Sequence, residues 1–309
     1  MTFDVAIVGG GPAGLSAALM LGRARRRVVL LDGGTRRNAA AEHINGFVTR
    51  DGTPPDEFRR IGREQLGPYS SVEVRDARVA SIQGERGAFE LRLEGGGSVT
   101  ARRILLCTGM VDELPELEGF RALWGKSIFQ CPYCHGWEIR DQVFGVLVER
   151  AELLDHSVMM RSWTRSVIAL TNGRVAVSDP ARAHLAAAGV VLDERPIRRL
   201  AAEGDRLARV EFDDGGSQRL DALFARPPQR QVALVQALDL SLDDAGYVRV
   251  DEMSRETSRP GVYAAGDLIT PMQGALFAAA FGARAAAALN HGLTSELATS
   301  GALDGPRSS

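Results

Sequence analysis

Cys131-Pro132-Tyr133-Cys134-His135-Gly136 sets two thiols two residues apart and an imidazole directly after the second. A disulfide closed across so short a span is a small ring that an incoming thiolate opens easily. The pair therefore suits electron exchange better than cross-linking. His135 can take up and release a proton near neutral pH. Pro132 fits the first position of a helical turn, with Cys131 at or near its N-cap. There the backbone N–H groups would favour the thiolate. Cys131, Cys134 and His135 are the candidate catalytic residues, with Glu138 a weaker candidate base.

A redox pair needs an electron acceptor, and the N-terminus offers a cradle for one. Phe3 to Val8 reads as a buried strand running into Gly9-Gly10-Gly11-Pro12-Ala13-Gly14. A helix follows from Leu15 to about Ala24, then a strand from Val28 to Leu31 ending at Asp32. In this setting Gly9 permits the turn, Gly11 lets a pyrophosphate approach the backbone, and Gly14 lets helix and strand pack closely. Asp32 can accept from a ribose hydroxyl. The polar loop with Gly33, Arg37 and Asn38, and then Asn45, could hold an adenosine or a flavin edge. Taken singly, each of these loop positions is more often ordinary loop.

The chain has 309 residues, 45% hydrophobic and 25% charged, enough for two soluble domains. A net charge of -2 indicates no nucleic-acid partner. Three cysteines exclude a disulfide scaffold. Cys107, at the end of the apolar run Ile104–Leu106, is expected to be a small core residue. The first apolar run is too short for a signal peptide, and no run reaches the ~18 residues of a membrane span. A cytoplasmic protein is expected.

From Val72 to Leu106 the apolar period is two, which reads as a β-meander closing on Thr108-Gly109. After the CxxC the first pattern repeats: strand Phe144 to Val148, helix Leu153 to Trp163, strand Val167 to Thr171, then a second meander around Gly204 and Gly215. The repeat predicts an α/β fold of two Rossmann-like, three-layer nucleotide-binding domains, the second inserted in the first, each with a β-meander. The expected boundaries are 1–114 with 229–309 for the first and 115–228 for the second. In the second domain the strand enters Glu149-Arg150-Ala151-Glu152, which contains no glycine. Acid side chains sit where a pyrophosphate would, so this nucleotide pocket reads as lost. Near the C-terminus Gly266-Asp267 ends a strand, and Gln273-Gly274-Ala275 opens an Ala-rich helix to about His291. That helix start could contact a ribityl chain and favour negative charge on a ring. From Thr294 on the chain is small and polar and is expected to fray.

The Gly9-x-Gly11-x-x-Gly14 turn, the Thr108-Gly109 strand end, the CxxC heading an inserted domain and Gly266-Asp267, in this order, resemble the low-molecular-weight thioredoxin reductases. The resemblance spans nearly the whole chain. It implies FAD held by Gly9, Gly11, Gly14, Asp32 and Asp267, with Pro12, Ala13, Gly33, Arg37, Asn38, Asn45, Thr108, Gly109, Gly266, Gln273, Gly274 and Ala275 as further contacts. It implies Cys134 against the flavin, Cys131 facing substrate, and a homodimer. Those reductases have an acid after the second Cys and an intact second glycine motif; here His135 follows Cys134 and the glycines are missing. Both departures resemble the flavin-dependent dithiol oxidases of natural-product pathways, of the gliotoxin, holomycin and romidepsin type. These imply oxidation of a small-molecule dithiol with O2 as final acceptor and no NADP.

Other readings remain. The chain could be a thioredoxin-type reductase driven by NAD(P)H or another donor, or a non-catalytic flavin sensor. Cys-Pro-Tyr-Cys also resembles glutaredoxin, but that fold is about one third this size and lacks the glycine motifs. A zinc site is disfavoured because adjacent Cys134 and His135 would strain to reach one tetrahedral ion, so no metal is expected. A structural disulfide does not suit a reducing compartment.

Overall fold

The computed structural model describes residues 2–301. The chain divides into two compact units. One comprises the residues up to Ala39, Phe47–Val111 and those from Gln229 on; the other comprises Ala40–Gly46 and Asp112–Pro228.

In the first unit, strands Val72–Arg75, Val28–Leu31, Phe3–Val8 and Ser98–Leu106 lie side by side in that order and run parallel. Val262–Ala264 adds in parallel to the far half of Ser98–Leu106, pairing Val262 with Ile104. The near half of the same long strand pairs antiparallel with Ala88–Leu93, which pairs with Val79–Glu85. Its burial follows that double duty, alternating over the meander half and continuous from Arg103 to Leu106. Alternate strand residues face two apolar layers. Val5, Ile7, Val28 and Leu30 meet helix Pro12–Arg23 and the terminal helix, while Ala6, Val8, Val29 and Leu31 meet the meander and Val235. The two helices pack tightly enough that a Cβ on Gly282 would lie 2.0 Å from the Ala13 carbonyl oxygen.

The second unit repeats this plan. Val190–Asp193, Ser166–Leu170, Val143–Leu147, Ala222–Phe224 and Ile128–Phe129 form a parallel sheet, and Ile197–Glu203, Arg206–Phe212 and Ser217–Arg219 a separate antiparallel one. The fold is mixed α/β, as the repeat predicts.

Three details differ from the sequence reading. Val72–Arg75 belongs to the parallel sheet, not to the meander. The terminal helix runs Ala275–Thr299, past Thr294, because Leu293 and Leu297 are buried and Glu296 pairs with the buried Arg103; residues 302–309 of the expected tail lie outside the described residues. The helix expected to Trp163 ends at Met159 and finishes in a 3₁₀ turn. Among the described residues, no helix is long and apolar enough to cross a membrane.

Candidate functional site

Cys131 follows strand Ile128–Phe129 and takes the N-cap of a single helical turn, Pro132–His135. Pro132 occupies the first helical position, where a missing N–H costs nothing. The Cys134 N–H donates to the Cys131 carbonyl at 3.2 Å and the Gly136 N–H to the Pro132 carbonyl at 2.6 Å. Gly136 cannot carry a side chain, since its Cβ would lie 2.8 Å from the Trp163 ring. No disulfide joins Cys131 and Cys134 in this structure. A hydrogen bond from the Cys134 thiol brings Cys131 down to about 7, against the opposing effect of burial. The backbone N–H groups of Cys134 and Tyr133 and the charge of Arg226 assist. Near neutral pH a large share of Cys131 is thiolate.

His135 stacks on Phe129, with ring centroids 4.3 Å apart and planes 15° from parallel. Phe129 in turn packs on Phe224 and Phe224 on Phe144, so the imidazole rests on an aromatic stack rooted in the sheet. Burial holds His135 below its ordinary value, opposed by the Cys131 backbone and the Glu138 carboxylate. It is therefore a neutral base at pH 7. Tyr133 and Trp137 are exposed around the turn. Asn45 also lies here: its amide donates to the Cys134 carbonyl at 2.9 Å. Ala40–Gly46 belongs to this unit because Ala40 packs against Gly125 and Asn45 grips the CxxC turn. Cys107 is buried, and burial pushes its thiol far up, so it is inert core.

In the first unit, Gly9 has φ +113°, and a Cβ there would lie 2.2 Å from the Cys107 carbonyl oxygen. A Cβ on Gly14 would lie 1.8 Å from the Gly9 carbonyl oxygen, whereas one on Gly11 would meet nothing within 4 Å. The turn is thus closed where it packs and open where a phosphate would approach, with Pro12, Ala13 and Gly14 opening the helix behind it. Asp32 is buried at the next strand tip. Burial raises its pKa, but the Gly34 N–H at 2.9 Å, Arg59, and Arg63 at 2.7 Å bring it below the ordinary carboxylate value. These three bonds use most of a carboxylate's roughly four acceptor sites, leaving one for a ribose hydroxyl. Arg59 and Arg63 were not singled out from the sequence; their spacing of four on helix Pro55–Glu64 is the signal that places both on one face.

Arg37, Asp267 and Gln273 come together from opposite ends of the chain. Arg37 donates to Asp267 at 3.1 Å and to Gln273 at 2.6 Å. Gln273 is paired amide to amide with Gln229, which also accepts from the Tyr247 hydroxyl at 3.1 Å. Gln229 and Tyr247 carry no motif that would have marked them. Gly266, Gly274 and Ala275 shape the entry to the terminal helix, with Gly266 at φ +92°. Gly33 lies against Arg78, Gly109 has φ +68°, and Asn38 is exposed in a turn. The Thr108 hydroxyl is buried without a partner. An open glycine turn, an orphaned hydroxyl and a polar network fit a flavin dinucleotide.

The matching turn of the second unit differs. Val143–Leu147 runs into Glu149–Glu152 and then a helix of only 7 residues, Leu153–Met159. Glu152 is exposed.

The profile of the pyridine nucleotide-disulphide oxidoreductase family matches residues 3–145 and 165–287, breaking off across this second turn. The chain is 33% identical to thioredoxin reductase aclD of Aspergillus oryzae over 309 residues, covering 96% of each chain. It is 30% identical to thioredoxin reductase sirT of Leptosphaeria maculans, covering 93% of each. The crystal structure of HlmI superposes with a TM-score of 0.90 at 37% identity, covering 97% of this chain and 95% of that one.

Proposed function

Because this chain belongs to the pyridine nucleotide-disulphide oxidoreductase family, a flavoprotein disulfide oxidoreductase with FAD as cofactor, we propose that it oxidises a small-molecule dithiol to an intramolecular disulfide without pyridine nucleotide. The supporting observation is the glycine-free turn Glu149–Glu152, which replaces a pyrophosphate cradle with acid side chains. His135 directly after the redox pair supports it further.

The resting pair in this scheme is the Cys131–Cys134 disulfide. A substrate thiolate attacks the Cys131 sulfur, and Cys134 leaves as a thiolate. The second substrate thiol then attacks the substrate sulfur of the mixed disulfide and expels Cys131. A Cys131 pKa of about 7 makes it a good leaving group in this step. His135, neutral and fixed on Phe129, is the base for an incoming substrate thiol, holding one proton at a time, and later the proton donor. Bound FAD would supply the two-electron acceptor that restores the disulfide, with O2 as the final acceptor and hydrogen peroxide as the product. Gly9, Gly11, Pro12, Ala13 and Gly14 would hold its pyrophosphate and Asp32 its ribose. Gly33, Arg37, Asn38, Thr108, Gly109, Gly266, Asp267, Gln273, Gly274 and Ala275 would line the rest. We further propose a cytoplasmic homodimer.

The relatives named thioredoxin reductases favour a second reading, in which NAD(P)H drives electrons the other way. Anaerobic mixing separates the two. Dihydrolipoamide should bleach the flavin, while NADPH and NADH should not. Readmitted air should restore the colour with one hydrogen peroxide per dithiol. Cys131→Ser and Cys134→Ser should each stay yellow and resist bleaching. Rapid bleaching by NADPH would establish the reductase instead.

A further inference from the structure

We propose that Arg226 and His156 form an anion-accepting subsite beside Cys131, which takes a carboxylate carried by the dithiol substrate. The proposal rests on the dithiol-oxidising reading of the same site and adds a substrate class to it.

Register places Arg226 there. Strands Ile128–Phe129 and Ala222–Phe224 run parallel, pairing Phe129 with Phe224, and the Ala225 N–H donates to the Phe129 carbonyl at 2.9 Å. Two residues beyond the paired phenylalanines, just past the two strand ends, stand Cys131 and Arg226. The charge of Arg226 acts on both the Cys131 thiol and the His156 imidazole. His156 comes from helix Leu153–Met159, which follows the neighbouring strand Val143–Leu147. All three residues thus gather at the carboxyl ends of adjacent parallel strands, where open α/β sheets take their ligands.

Arg226 is half-buried, its Nε is shielded from solvent without a hydrogen-bond partner, and it pairs with no carboxylate among the described residues. That sets it apart from the other half-buried arginines of this unit, of which Arg161 donates to the Ala188 carbonyl at 2.8 Å and the rest pair with carboxylates. Arg182 pairs with Glu194, Arg195 with Asp193, Arg219 with Asp221, and Arg198, Arg199 and Arg209 with Glu211. A half-buried guanidinium with no counter-charge of its own favours an anionic ligand over water. The Nε2 of His156 is likewise buried and unpartnered. Burial, with Arg226 assisting, pushes His156 down to about 4, so it meets a ligand as a neutral hydrogen-bonding group. One guanidinium and one neutral imidazole balance a single carboxylate. A pyrophosphate would bring more charge, past Glu149 and Glu152, to a turn with no glycine for close approach.

Charge-selective alkylation of the reduced holoprotein tests this without relying on turnover. The rate ratio of iodoacetate to iodoacetamide at Cys131, read by mass spectrometry, cancels changes in the thiol's own nucleophilicity. Arg226→Ala should lower that ratio about tenfold, as expected for losing one charge-assisted hydrogen bond. His156→Ala should lower it about threefold. If Arg226→Ala does not fold, Arg226→Gln carries the same readout. An unchanged ratio in the Arg226 variant overturns the subsite. With turnover, the preference in kcat/KM for dihydrolipoate over dihydrolipoamide should vanish in the same variant. A shifted alkylation ratio in a protein that oxidises neither dithiol would keep the subsite and discard the oxidase. Protection of Cys131 by NADPH, lost in Arg226→Ala, would overturn the carboxylate assignment in favour of a nucleotide phosphate.

Discussion

The two units present the same event twice, a buried parallel strand turning into a helix, and resolve it differently. At Gly9–Gly14 the turn is so tight that backbone touches backbone, and a helix of 12 residues follows. At Glu149–Glu152 the turn is built from ordinary side chains, and the helix lasts 7 residues. Yet the second sheet is as well buried as the first: Phe144, Val146, Val167 and Ala169 are fully or almost fully enclosed. The glycines are therefore not what folds such a unit. They bring backbone N–H groups up to a ligand and let the helix start close to the strand. Where they are gone, the strand ends are free for other chemistry, and Cys131, His135, His156 and Arg226 gather at those ends.

The largest effect should come from breaking the first turn. A valine at Gly14 would overlap the Gly9 carbonyl oxygen outright. Gly14→Val should lose most bound flavin and lower the melting temperature by about 5 °C or more. The matching change in the other unit, Glu152→Val at an exposed position, should shift stability by no more than about 0.5 kcal/mol and leave flavin content intact. Equal flavin loss in both variants, read from visible absorbance, would erase the contrast.

A second test concerns what the glycine-free unit does instead. Burial holds His135 below 6.5, so at pH 7 it is neutral and able to accept a proton. The rate of dithiol oxidation should therefore fall as pH falls through a midpoint below 6.5. His135→Ala should lower kcat/KM about 10²-fold and flatten that limb, while leaving the flavin bound. An acid limb that persists unchanged in the variant would remove His135 from proton transfer.

Much of this was legible in the sequence because it is local. Gly9-x-Gly11-x-x-Gly14 and Cys131-Pro132-Tyr133-Cys134 fix their own turns through φ freedom, a proline at the first helical position and short-range hydrogen bonds. Less legible were features set by partners distant in sequence. The short strand Val72–Arg75 alternates like a meander strand, and only its pairing with Val28–Leu31 puts it in the parallel sheet. The end of the terminal helix looks polar, but Arg103 draws in Glu296. Arg226 is one arginine among many until strand register sets it beside Cys131.

Asn45 offers the smallest and most discriminating test. Its polar loop reads from sequence as a flavin edge, yet its amide is committed to the Cys134 carbonyl at 2.9 Å. The turn Pro132–His135 is four residues long, so few of its carbonyls have partners within the turn, and a clamp from outside matters more than in a long helix. Removing it should cost about 1 kcal/mol of local order. Asn45→Ala should then slow dithiol oxidation about fivefold and speed amide hydrogen exchange at Tyr133 and Cys134. Flavin content and visible spectrum should stay as they are. A shifted spectrum with exchange unaltered would return Asn45 to the cofactor and leave the thiol turn to hold itself.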